Sequence, residues 1–424
     1  MRNIFILLPT ILLLCTLGAC KKNSGVEEAL PVLDFRQDIP EKEVTLQDIG
    51  NVRYIRFHTS DSILLGDHMR LLPCGDKLFF YDRGGGDVLG FDKDGNSLSR
   101  FNHKGQGADE YTGIYYFAFD QEKAEVFICA PKRIQVYGMD GRYKRSLPIP
   151  DSILIDDIIS LNGRFLLLSE MRNTPFIQDG ELKKYAEELP DPNPYPFLLM
   201  DKETGKIEAV PVRSEGRFQN LVWTMREGKP FILVGRQQHF FPASGKYLLS
   251  QPAADTLYAI SPSRELVPMF ARLPLTKEKD GKIGCALMAA TSRIMLVDAV
   301  FLKDEGMNQL KRQLYVYDIN KKSPAVGSLV NVEFEGYNNQ YPVVSDNKLY
   351  FILYPHVLLE AKENHKLSGK LLEITETLDE GQSSVGGGRT VLVFSVFGSS
   401  VFSMPDNKPI VSNYCTPLSN NWTL

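Results

Sequence analysis

Sulfur chemistry is sparse in this chain: six cysteines in 424 residues, two of them within the first 20 positions. The other four, Cys74, Cys129, Cys285 and Cys415, stand far apart with no Cys-x-x-Cys spacing. That excludes a zinc ribbon and a dense disulfide framework. One or two disulfides and buried single thiols fit the spacing equally well, and it does not pair them. The six histidines (58, 68, 103, 239, 356 and 365) show no His-x-His or His-x-x-x-His pattern, so no local metal motif is present and no cofactor is expected. There is no Gly-x-Ser-x-Gly elbow, which removes the α/β-hydrolase class. Net charge is −4, without a basic footprint, so nucleic acid is not an expected partner.

What is present begins at the N-terminus. Arg2, an apolar stretch from Ile4 to Leu14 interrupted by Pro9, and the small residues Gly18 and Ala19 form a secretory signal over residues 1–19. The apolar stretch falls well short of the roughly 20 residues a membrane-spanning helix needs. Leu17-Gly18-Ala19-Cys20 resembles the lipobox of bacterial lipoproteins. That resemblance implies that Cys20 carries lipid and anchors the chain to a membrane; ordinary signal cleavage beside Cys20 is the alternative. Two or three acyl chains, each buried CH₂ contributing about 0.8 kcal/mol, hold such a protein firmly. Lys21 follows directly and no Asp does, which favours an outer-membrane lipoprotein of the cell envelope, with either a periplasmic or a surface-exposed orientation. Residues 20–34 are expected to be a lipidated tether.

From Val52 onward, short β-type runs alternate with turn signals. Lys77–Asp82, Arg83-Gly84-Gly85-Gly86, Val88–Asp92 and the turn Lys93-Asp94-Gly95-Asn96 form one phrase. It recurs with second strands starting at 88, 134, 197, 257 and 314, steps of 46, 63, 60 and 57 residues, and Lys348–Tyr354 begins a sixth unit. No helical pattern alternates with these strands, which argues against a parallel α/β sheet. A repeat of this size built from antiparallel strands predicts an all-β, six-bladed β-propeller of four-stranded blades over residues 35–397. Two β-sandwich domains would leave the recurrence unexplained. Leu367, Leu371, Ile374 and Leu378 make one apolar stripe, predicting one short C-terminal helix. The strand Thr390–Phe397 is expected to share the closing blade with Val52–Phe57 and so remove an exposed edge. Residues 398–424 are expected to be a weakly structured tail.

The opening from Asn51 to Gly66 and the segment Lys104-Gly105-Gln106-Gly107-Ala108-Asp109-Glu110-Tyr111 are similar to six-bladed propeller lipoproteins of Gram-negative bacteria, the TolB-like or NHL-like propellers. The second segment resembles their Gly-x-Gly-Pro-x-Glu-Tyr signature, with Ala108 in place of proline. The resemblance spans residues 31–397 and implies the fold without a defined activity.

Candidate chemistry is thin. Asp92-Lys93-Asp94-Gly95-Asn96 looks like the start of a calcium loop, but His103 occupies the twelfth position, where a bidentate Glu belongs; it is a hairpin turn. The glycines at 84–86, 105 and 107 lack the strand–helix context of a phosphate cradle, and turns with φ > 0 explain them. Glu110 and Tyr111 are candidate surface residues that could line the top face, with a structural role at the blade junction favoured over it. Tyr195, inside the proline-rich stretch Leu189–Phe197, is a candidate on a projecting loop. Trp223, Phe240 and Phe241 sit in apolar surroundings and are expected in the core. The reading is a lipid-anchored binding module for a glycan, a peptide or a partner protein of the envelope. The alternative is a propeller lyase or hydrolase, which would bring His, Asp, Glu or Tyr together at one end of the axis.

Overall fold

In a computed structural model of the chain, the described residues are 30–58, 63, 65–66, 69–170, 176–177, 194–213, 221–226, 229–234, 238–243, 245–251, 254–273, 283–301, 311–336, 342–345, 347–382 and 392–397. They form a β-propeller. Six sheets carry four antiparallel strands each in simple meander order. Blade 1 is Arg70–Cys74, Lys77–Tyr81, Asp87–Asp92 and Ser97–Asn102. Blade 2 is Tyr116–Asp120, Glu125–Ala130, Arg133–Gly138 and Tyr143–Pro148. Blade 3 is Ile155–Ser160, Phe165–Glu170, Phe197–Asp201 and Ile207–Ala209. Blade 4 is Phe240–Ala243, Lys246–Leu249, Thr256–Ile260 and Leu266–Leu273. Blade 5 is Ile283–Ala290, Ile294–Phe301, Lys311–Asp318 and Ser323–Val326.

Blade 6 closes the ring. Its strands are Val343–Ser345, Lys348–Leu353, Leu392–Phe397 and, from the other end of the sequence, Asn51–Arg56. Asn51 pairs with Phe397 and Arg56 with Leu392, antiparallel, which is the expected pairing of the chain's two ends. Val32–Asp34 adds a fifth, parallel strand outside blade 4, within the segment expected as tether. Leu221–Arg226 and Lys229–Val234, between blades 3 and 4 in sequence, form a separate three-stranded sheet with Phe176–Ile177, which comes from between the second and third strands of blade 3.

The core lies between blades, so both faces of most strands are buried and the strands read as continuous apolar runs. Phe80 stacks edge-on against Phe57 at 5.0 Å between blades 1 and 6, while its neighbour Phe79 meets Phe119 at 4.8 Å between blades 1 and 2. Phe240 and Phe241 are buried as expected, whereas the side chain of Trp223 lies outside the described residues.

Where one C-terminal helix was expected, the structure has two. The first, α1, spans Pro355–Glu363 and the second, α2, spans Gly369–Gln382; a single helical turn also occurs at Leu46–Ile49. Pro355 takes the first helical position after an extended Tyr354, where a proline's missing N–H costs nothing, and so begins a helix directly from the strand. Leu367 lies ahead of α2 in a bridge to Phe334, while Leu371 is buried. Glu333 docks α2 by accepting the N–H of Leu371 at 3.1 Å and the Tyr54 hydroxyl at 2.7 Å.

Candidate functional site

The first strand of each blade is innermost, and together these strands line the axis. Because all meanders run alike, the axis has a leading end, where innermost strands start, and a trailing end, where they turn back.

The trailing half holds a cavity of about 550 Å³. Leu72, Phe117, Phe119, Ile159, Phe240 and Val343 supply apolar wall, and Gln121, Glu122, Ser160 and Asn162 supply polar rim. Behind this wall Lys202 is fully buried; its Nζ donates to Asp120 Oδ2 at 2.5 Å, Ser160 Oγ at 2.8 Å and Asn162 O at 2.5 Å. Burial pushes its pKa down and Asp120 opposes that shift. An ammonium group has three donors and here all three are placed. A Ser–Lys pair needs a neutral lysine to take the serine proton, so this arrangement is a cation tying blade 3 to blade 2. Beside it, the Arg145 guanidinium clamps Glu125 at 2.8 and 2.9 Å and donates to Lys202 O.

The leading end carries a second polar group. Asp156 and Asp157 sit in the innermost strand of blade 3, inside the apolar run Ile153–Ile159. His239, just before the innermost strand of blade 4, places Nε2 3.0 Å from Asp156 Oδ2 and Nδ1 2.8 Å from Ser250 O. Both ring nitrogens face acceptors, the pattern of an imidazolium donating twice. Burial opposes that charge, but the Asp156 carboxylate prevails and raises the His239 pKa to about 9. Half-buried Asp157 accepts the N–H groups of His239 at 2.7 Å, Phe240 at 3.3 Å and Ile158 at 2.9 Å. Burial pushes it up to about 6, against the pull of His239. Tyr81 and Tyr116 border the group: burial raises both, and Asp157 adds to each. Arg83 lies over the Tyr116 ring at 5.8 Å. Among the described residues no group of three or more His, Cys, Asp or Glu side chains is arranged to hold a metal ion.

The three candidate residues fall on connections at this leading end. Tyr111 is fully buried, donating to Gly86 O at 2.6 Å and accepting His103 N–H at 3.0 Å, so it struts two loops and presents no surface. Glu110 is half-buried; it accepts Gly107 N–H at 2.8 Å, and its carbonyl accepts Arg133 and Gln135. Tyr195 is 37% exposed. Positive φ accounts for Gly86 but not for Gly84, Gly85, Gly105 or Gly107; a Cβ on Gly105 would meet only the carboxylate end of the Glu110 side chain, which can swing aside. Cys129 and Cys285 are free thiols, and burial pushes both to about 12. Cys20 and Cys415 lie outside the described residues.

Sequence reasoning missed Asp120, Lys202, Asp156, Asp157 and His239. The one available signal was the Asp-Asp pair interrupting an apolar strand, since charge inside a two-faced buried strand requires a partner.

Residues 30–382 match the family described as Domain of unknown function (DUF4934). The chain belongs to this family. No curated protein matches it. Among solved structures it is similar to a Bacteroides fragilis protein provisionally described as exported, at 16% identity over 87% of this chain and 99% of that one, with a TM-score of 0.58. A DUF4221 family member from Bacteroides vulgatus matches at 11% identity over 71% of this chain and 97% of that one, TM-score 0.38. Virginiamycin B lyase from Staphylococcus aureus matches at 11% identity over 71% and 95%, TM-score 0.34. At these identities the likeness concerns fold alone.

Proposed function

We propose that this DUF4934 chain is a lipid-anchored envelope propeller of six blades, akin to the TolB-like and NHL-like propeller lipoproteins, that binds a ligand at its axis. The observation that carries the reading is the axial cavity. Its volume of about 550 Å³ falls within the roughly 300–1,000 Å³ typical of ligand sites. Its walls come from several blades, so they are rigid before any ligand arrives. Cys20 supplies the anchor, and Lys21 after it favours the outer membrane. Glycan, peptide and partner protein are the ligand classes.

A second reading, a propeller lyase or hydrolase, draws on the gathering of Asp156, Asp157, His239, Tyr81 and Tyr116 at one end of the axis. It is weakened by His239, whose ring nitrogens both meet acceptors, leaving no lone pair for a base or a metal ligand.

The test is a thermal-shift screen of the full chain in detergent against oligosaccharides, peptides, Ca²⁺ and Zn²⁺. A ligand at about 100 times its Kd adds roughly 2.7 kcal/mol. A saturable shift with an oligosaccharide or peptide supports a binding module. A bound compound that is then consumed favours the enzyme. A flat screen, together with no partner in an envelope crosslinking pull-down, removes the binding reading.

A further inference from the structure

We infer that the axial cavity takes the amino end of a peptide, an apolar side chain entering it while the free amine pairs with Glu122 at the rim. This names the ligand class of the binding reading above and rests on it. The cavity is open to solvent where Gln121 and Glu122 line it, since both are exposed. Leu72, Ile159 and Val343, half-buried, give its wall branched aliphatic surface. The polar side chains of the wall are largely engaged already. Asp120 holds Lys202, whose Nζ also donates to Ser160 Oγ. The Tyr247 hydroxyl donates to Ser160 O at 3.1 Å, and Gln238 donates to Phe240 O at 3.2 Å. Asn162 donates to Pro262 O at 2.7 Å, while its Oδ1 accepts the N–H groups of Arg164 and Phe165, each at 2.8 Å. A saccharide would bury hydroxyls from around its ring, and each one left without a partner costs free energy. Such a wall suits an apolar side chain instead.

Charge selects the end of the peptide. Among the described residues no Lys, Arg or His lines the cavity. Of its two carboxylates, Asp120 is balanced by Lys202, whereas the Glu122 side chain has no hydrogen bond or ion pair among the described residues. Cations on the adjoining turns are held elsewhere: Lys123 by Glu203 at 2.8 Å and Lys77 by Asp76 at 3.0 Å. An anionic end would meet Glu122 with no cation in the wall to offset it. A protonated amine meets a carboxylate that is free to accept it. Gln121, next in the chain and likewise without a partner, carries both a donor and an acceptor for the first peptide group.

Isothermal titration of the full chain in detergent tests this with the tripeptide amide Leu-Leu-Gly, once with its amine free and once N-acetylated. The measurement is made at about pH 6.5, below the roughly 7.7–8.0 at which a terminal amine loses its proton. The free amine should bind the wild type about fivefold more tightly, the upper end of what an exposed ion pair contributes. Glu122→Gln, a change at an exposed turn position, should bring the two peptides to equal affinity. Equal affinity in the wild type, or a preference that persists in Glu122→Gln, overturns the inference. So does a wild type that binds neither peptide. If that same wild type binds a neutral oligosaccharide, the inference falls and the binding module stands.

Discussion

Replacing Lys202 by Met separates the structural role of the trailing-end charge pair from any catalytic one. The ammonium is fully buried, makes three hydrogen bonds and lies 5.3 Å from the Phe127 ring centroid. Removing one partner of a buried pair leaves the other charge uncompensated and typically costs about 3–5 kcal/mol. Asp120 retains some compensation, because its Oδ1 accepts the N–H groups of Glu122 at 2.9 Å and Lys123 at 3.2 Å. The expected loss therefore sits near the lower bound, about 3 kcal/mol. The double variant Lys202→Met with Asp120→Asn keeps an oxygen for those two N–H groups and removes the stranded charge, so it should recover most of the loss. Equilibrium guanidinium unfolding reads both through the midpoint, with an unchanged slope showing that the comparison is of stability alone. A single variant costing under about 1 kcal/mol, or a double variant no better than the single, would refute the argument.

Three further outcomes follow from particular residues. His239 has its pKa raised to about 9, so its stabilisation is complete below its unfolded value, roughly 6.5, and is lost as pH rises through 9. Unfolding free energy should fall over that window, and Asp156→Asn should flatten the fall; a flat wild-type profile contradicts the ion pair. Gly95 has φ +88°, and a Cβ there would sit 2.1 Å from the Arg56 carbonyl oxygen, whereas Gly336 at φ +73° has nothing within 4 Å. Gly95→Ala should cost at least about 2 kcal/mol in a melting series and Gly336→Ala only about 1, from left-handed strain alone. Cys20→Ser should abolish labelling by radioactive palmitate and move the protein from the membrane to the soluble fraction; unchanged partitioning contradicts the anchor.

Much of the architecture was legible because the propeller writes itself locally. The Lys77–Asp92 phrase places two strands and a turn in one window, and its recurrence gave the blades their phase. The closing pair of Asn51–Arg56 with Leu392–Phe397 was legible because a ring of sheets must not leave an edge. The start of α1 was not, since Pro355 after an apolar strand reads as a break and only the fold makes it a first helical position. The polar groups of the axis were least legible. Lys202 and Asp120 are 82 positions apart, and His239 and Asp156 are 83 apart. Lys202 lies in Asp201-Lys202-Glu203-Thr204-Gly205, which reads as a solvated hairpin turn, and only the packing of blade 3 on blade 2 buries it. Glu110 and Tyr111 drew notice through their motif, and the structure uses Tyr111 as a strut between the loops at Gly86 and His103, the junction role favoured from the sequence.

The measurement that tests the central claim most directly fills the channel. Val343 is half-buried and lines the axial cavity, so Val343→Trp narrows the cavity from one wall. Titration of the first ligand identified in the thermal screen, into wild type and Val343→Trp side by side, should show binding reduced by at least tenfold in a variant whose circular dichroism and unfolding midpoint match the wild type. Undiminished affinity in that folded variant would contradict an axial binding site.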